Sequence, residues 1–284
     1  MQSKTKIFLD GGDPEETKKV IELLGFLDGQ TTNPTLISKN PQALEKLTSG
    51  DKFTQIELLN EYQKIVQQIS QLIPNGSISI QVYSDSKTKA EQMLKQGKEM
   101  YSWIPNARVK YPTTSEGLKA AAESVKLGMR INMTLVFSQE QAAAIYSATK
   151  GAKKGQVVIS PFIGRLDDLG ENGMSLIENI LKMFENSDQH IEVLAASLRN
   201  MDHLLACLKL NTHIVTLPYK LIQEWVDQSK SHPQQNFVYP KGNLKDIIYQ
   251  EIDLEKPWQQ YNLSHPLTEA GVEKFASDWN NLIK

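Results

Sequence analysis

Apolar and polar positions follow two rhythms along this chain. Short runs rich in β-branched and aliphatic residues alternate with longer stretches whose apolar positions return every three or four residues. The short runs predict strands near Ile7–Asp10, Asp28–Thr32, Ile78–Tyr83, Arg108–Tyr111, Arg130–Val136, Val157–Ser160, Ile191–Ala196 and His213–Thr216. The longer stretches predict amphipathic helices. The clearest runs from about Asp51 to Ile73, where Phe53, Ile56, Leu59, Val66, Ile69 and Ile73 fall on or near one face. Others follow Pro14, Ser86, Thr114, Ser138, Gly173 and Asn200. Strands separated by helices predict right-handed βαβ units, closed into a parallel (β/α)8 (TIM) barrel. An open, doubly wound sheet is the structural alternative, but no GxGxxG or Walker A loop follows any strand.

From about Ser229 to Asn262 the pattern turns irregular, with Pro233, Pro240, Gly242 and Pro257, and predicts a long surface excursion. A terminal helix is expected over Leu267–Ile283, with its N-cap near Thr268. Its stripe of Val272, Phe275, Trp279 and Ile283 is expected to pack on the barrel rather than to bind anything. Lys150, Lys153 and Lys154 make a basic run expected to be a solvated loop.

Composition narrows the function classes. The 284 residues suit one domain over residues 1–284, since such barrels need about 250. A net charge of −2 gives no reason to expect nucleic acid or a membrane surface as partner. The N-terminus lacks the apolar region of a signal peptide, and no run approaches the roughly 18 apolar residues of a membrane span. Cys207 is the single cysteine, which suits a reducing, cytoplasmic location. The five histidines are scattered without a metal-ligand pattern, so no metal is expected.

In such barrels the site lies at the C-terminal ends of the strands. Polar residues gather there: Asp10, Asn33, Gln81, Lys110, Asn132, Thr134, Ser160, Arg165, Ser197 and Arg199. Alternation puts Asn132 with Thr134, and Ser79 with Gln81 and Tyr83, on shared strand faces. Several have plainer roles open to them. Asp10 suits a turn before GGDP. Thr31, Thr32 and Asn33 suit a helix cap before Pro34. Arg165 suits a pair with Asp167 or Asp168, and Arg199 a helix cap or cross-link. Lys110, between Val109 and Tyr111 in a strand expected to be buried on both faces, is costly as a structural choice. A buried lysine is the kind whose pKa falls far enough to make it a nucleophile. Two arginines after adjacent strands, with Ser197, suit a phosphate clamp.

FLDGG with GQTTNPTLISKN, RVKYPTTSEGLKAA, INMTLVFSQEQA, ISPFIGRLDD, VLAASLRN and HPLTEAGVEKFASDW together resemble the transaldolase family, in order and over nearly the whole chain. The resemblance implies a transaldolase of the pentose phosphate pathway. It would move a dihydroxyacetone unit from fructose 6-phosphate or sedoheptulose 7-phosphate to an aldose phosphate. Lys110 would form the Schiff base and Asp10 would be the acid–base group. Gln81 and Thr134 would hold a catalytic water. Thr31, Asn33, Asn132, Ser160 and Phe162 would contact the sugar, and Arg165, Ser197 and Arg199 its phosphate. Expected partners are phosphorylated sugars; a homo-oligomer is compatible with the sequence. One position departs: transaldolases usually carry glutamate where Gln81 stands, and the related fructose-6-phosphate aldolases carry glutamine. Phe162 and the Arg165, Ser197, Arg199 set side with transaldolase. A lyase releasing dihydroxyacetone and a non-catalytic phosphosugar-binding barrel are the alternatives.

Overall fold

The computed structural model describes residues 5–284, apart from the side chains at positions 42 and 47. Its eight main strands close into a parallel barrel. They are β1 (Lys6–Asp10), β2 (Gly29–Thr31), β3 (Ser77–Gln81), β4 (Ala107–Pro112), β5 (Ile131–Val136), β6 (Val157–Pro161), β7 (Ile191–Ala195) and β8 (Ile214–Leu217). Each pairs with the next, and β8 closes on β1 from Lys6 opposite Ile214 to Leu9 opposite Leu217. Every strand expected from the sequence forms, in the expected order. The largest shift is at β3, which ends at Gln81, so Tyr83 leaves the barrel and bonds Gln96 and Asn280 instead.

The helices are α1 (Pro14–Leu24), α2 (Pro34–Ser38), α3 (Pro41–Thr48), α4 (Gln55–Leu72), α5 (Ala90–Tyr101), α6 (Ser115–Lys126), α7 (Gln139–Ala148), α8 (Ile163–Asp167), α9 (Gly173–Phe184), α10 (Met201–Lys209), α11 (Tyr219–Asp227) and α12 (Pro266–Asn280). Asp13, Asn33, Thr114, Ser138 and Asn200 each accept a backbone N–H of the turn they cap. Such caps start each helix close after its strand and leave short polar loops at one end of the barrel. In α4 the buried face is Leu58, Tyr62, Ile65, Val66 and Ile69. Ile56, expected on that face, is 72% exposed, and Phe53 lies outside the helix beyond the Thr54–Glu57 capping box. α5 starts at Ala90 rather than after Ser86, because Asp85 gathers Lys87 N–H, Thr88 N–H and the Thr88 hydroxyl into a turn.

The irregular stretch after α11 is a strap clasped to the helices. Lys245–Asp246 pairs in parallel with Glu171–Asn172. Gln139 of α7 donates to Gln250 C=O at 3.0 Å and accepts its N–H at 2.8 Å. Asn179 of α9 donates to Ile247 C=O, and Tyr239, Tyr249 and Trp258 lie half-buried. The strap delivers α12 to the barrel mouth. His265, not Thr268, caps α12. Thr268 is buried and donates to Leu135 C=O at 3.0 Å, where β5 bulges and Leu135 takes φ 63°. The expected stripe packs: Val272, Phe275 and Trp279 are buried. Among the described residues no helix is long and apolar enough to cross a membrane.

Candidate active site

Two cavities share the barrel axis. The larger, of about 530 Å³, lies at the N-terminal ends of the strands and includes Lys6, Arg108 and Glu192 in its lining. The charges of Lys6, Glu192 and Arg108 are already spent. Lys6 pairs with Glu192 at 2.8 Å, and Arg108 donates to the carbonyls of Ile131, Gly155 and Gln156. The smaller, of about 210 Å³, opens at the C-terminal ends and is lined by Asp10, Asn33, Lys110, Ser160, Arg165 and Ser197 among others. Here two of the cations, Lys110 and Arg165, make no hydrogen bond or ion pair among the described residues.

Lys110 is 3% exposed, and its Nζ makes no hydrogen bond or ion pair among the described residues. Burial brings its pKa down to about 8, with the Arg165 cation adding to the fall and Asp10 opposing it. A useful fraction of free amine near neutral pH follows. Asp10 ends β1 at the rim. Burial raises its carboxyl pKa, against the pull of Lys110, the Thr31 hydroxyl and Lys39. The Thr31 hydroxyl donates to Asp10 Oδ1 at 2.7 Å and therefore accepts from the Thr216 hydroxyl, also 2.7 Å away. Thr31, expected to touch substrate, thus spends its proton on Asp10.

Register partners in a sheet present side chains to the same face, and Gln81, Lys110 and Asn132 stand level on β3, β4 and β5. Asn132 donates to Ser79 Oγ at 3.1 Å and accepts the Ser160 hydroxyl at 2.7 Å. Tyr62 of α4 accepts Gln81 N–H at 3.0 Å and fixes that strand end. Gln81 Oε1 and Thr134 Oγ1 are buried with no hydrogen-bond partner among the described residues, a costly state for buried polar atoms. Asn33 lines the cavity, yet its Oδ1 already caps α2 at Leu36 N–H, as the plainer option held.

Arg165 pairs with neither Asp167 nor Asp168. Its guanidinium lies 5.1 Å from the Phe162 ring centre and 5.7 Å from that of Phe275, and it makes no hydrogen bond or ion pair among the described residues. Five unspent N–H donors beside a cavity suit an anion. Burial and the nearby Arg199 cation depress its pKa. Arg199 itself is exposed, stands outside the cavity lining, and bonds Asp168 at 2.7 Å. Ser197, between them, adopts φ 60° and lines the cavity.

The chain matches the family model described as transaldolase/fructose-6-phosphate aldolase over residues 7–284. It belongs to that family. A protein of Dehalococcoides mccartyi named probable transaldolase is 33% identical over 279 residues, covering 98% of this chain and 100% of the relative. Probable transaldolases of Alkaliphilus metalliredigens, 31% identical over 98% of this chain and 100% of the relative, and of a Geobacillus species, 34% identical over 97% and 98%, are similar.

Seven lining residues of this family member were not singled out from the sequence, among them Thr216, Phe275 and Lys39. Thr216 is the penultimate residue of β8, as Ser160 is of β6, and obeys the strand-end rule that picked out Ser160, so it was findable. Phe275 looks like core from its periodicity and is core, but one edge also lines the cavity. Lys39, just past α2, carries no local signal and is placed there only by the fold.

Proposed function

We propose that this family member is a transaldolase acting through a Schiff base at Lys110. Neutral Lys110 Nζ attacks the ketose carbonyl carbon, and water leaves to give an iminium. The iminium at C2 draws in the electrons of the bond between C3 and C4, leaving a three-carbon enamine, as Asp10 takes the proton of the C4 hydroxyl on the departing fragment. An aldose phosphate leaves, and the enamine on Lys110 waits for a second aldose phosphate, whose carbonyl carbon it attacks. Asp10 returns its proton to the new alkoxide, and water hydrolyses the resulting iminium to release the new ketose phosphate and free Lys110. Asn132, Ser160 and Asn33 hold the dihydroxyacetone unit. Gln81 and Thr134 hold a water, and Arg165, Ser197 and Arg199 take the phosphate. The donor is fructose 6-phosphate or sedoheptulose 7-phosphate, and no metal or organic cofactor enters the steps.

The observation that carries this is Lys110: a buried amine with no partner among the described residues and a pKa of about 8, in one cavity with a carboxyl and an unspent guanidinium. Borohydride added during turnover of fructose 6-phosphate should fix a three-carbon unit on Lys110. An adduct on another lysine, or none while turnover proceeds, removes the assignment. Gln81 sustains a second reading, a lyase that releases dihydroxyacetone, because a carboxamide cannot shuttle a proton as a carboxylate does. Lys110 and Asp10 together oppose a barrel that merely binds sugars.

A further inference from the structure

One buried histidine stands outside the reacting groups, yet bridges the two loops that carry the phosphate-binding set. His203, on the first turn of α10, is 1% exposed. Its Nδ1 accepts the backbone N–H of Arg199 at 3.2 Å. A ring nitrogen that accepts carries no proton, so the proton sits on Nε2. Nε2 lies 2.8 Å from Asp167 Oδ2 and 2.8 Å from the Tyr239 hydroxyl. The other oxygen of Asp167 accepts Gly173 N–H at 3.0 Å, which pins the carboxylate. Asp167 ends α8, the short helix of Arg165, whereas Ser197 and Arg199 follow β7. Tyr239 comes from the strap.

The loop after β7 needs such support. Ser197 is a non-glycine residue at φ 60°, a strained conformation that persists where its neighbours hold it. One hold is Gly164 N–H, which donates to Ser197 C=O at 3.1 Å. This approach requires glycine, because a Cβ on Gly164 would lie 2.5 Å from both that carbonyl oxygen and Arg199 Nε. The other hold, two residues on, is His203. We infer that His203 is a positioning residue for phosphate recognition: its Nε2-protonated, neutral ring, oriented by Asp167 and Tyr239, fixes the Ser197–Arg199 backbone relative to Arg165. The inference rests on the phosphate role given to Arg165, Ser197 and Arg199 above.

The two carboxamide replacements separate the ring nitrogens. Asparagine places its oxygen near Nδ1 and still accepts Arg199 N–H. Glutamine reaches toward Asp167 but leaves that N–H unpaired. His203→Gln should raise KM for fructose 6-phosphate about tenfold, the scale of one lost hydrogen bond at a buried site. Unphosphorylated fructose should change by less than about twofold, and His203→Asn should restore most of the loss. Equal losses on both sugars, or no difference between the two variants, would mean that His203 only packs. Arg199→Ala is the reference. If it leaves the preference for the phosphorylated sugar intact, the phosphate reading fails. If it abolishes that preference while His203→Gln does not, only the role of His203 fails. Should the variants not fold, nitrogen NMR of isotope-labelled histidine in the wild-type protein decides. A ring protonated on Nδ1 near neutral pH overturns the inference, and protonation on Nε2 alone supports it.

Discussion

At the scale of single residues, Lys110 joins reactivity to a cost in stability. Its native pKa of about 8 lies below its ordinary 10.5, so between those values the unfolded chain binds more protons than the folded one. Stability from this group therefore rises with pH across that window, and below about 8 the folded protein carries a buried charge. Lys110→Met should stabilise the protein by on the order of 2–3 kcal/mol near neutral pH, with the gain fading toward pH 10.5. Denaturant midpoints of both proteins across that range check it, and a pH-independent difference would refute it. Gln81 poses the second residue-scale question, since its buried Oε1 stands unpaired. Gln81→Glu should raise transfer to an aldose-phosphate acceptor without raising acceptor-free dihydroxyacetone. Substantial acceptor-free dihydroxyacetone from wild type, falling on mutation, would favour the lyase.

At the scale of elements, α12 shapes the site by close approach. A Cβ on Gly271 would lie 2.5 Å from Leu135 Cδ2 and 2.9 Å from Arg165 Nη1. Gly271→Ala should therefore push α12 off the bulge in β5, at a cost of about 1–3 kcal/mol, and disturb the seat of Arg165 between Phe162 and Phe275. A lower melting temperature together with weaker fructose 6-phosphate binding is expected; unchanged binding would detach α12 from the site. Strand positions were legible because β4, β5 and β6 are buried throughout and read as apolar runs broken by few polar residues. The face of α4 was harder to read. Ile56 is apolar but lies near the helix start, where the phase is set by the Thr54 cap rather than by hydrophobicity.

For the whole molecule, the strap and α12 close the barrel wall through two buried glutamines of α7. Gln141 is fully buried and serves three partners. It accepts Phe137 N–H at 2.7 Å and donates to Leu263 C=O and to Thr268 Oγ1, each at 2.9 Å. Gln141→Ala would orphan all three at once, so a loss of about 2–4 kcal/mol is expected. A denaturant midpoint close to wild type would show that the strap holds without this clasp.

The order and rough extent of the barrel strands were set by local pattern, because strand alternation and helix periodicity are short-range properties of the chain. So were the polar residues at strand ends, since a buried lysine or carboxylate in an apolar run is conspicuous without coordinates. Partners were not legible. That Arg165 keeps its donors unspent while Arg199 gives its own to Asp168 depends on which loops meet after β6 and β7. Thr31 turning its proton toward Asp10, and Lys39 and Phe275 reaching the cavity, likewise depend on segments far apart in sequence. The strap is held both by apolar residues such as Tyr239, Tyr249 and Trp258 against the core and by hydrogen bonds to side chains of α7 and α9, and those contacts exist only once the barrel has closed.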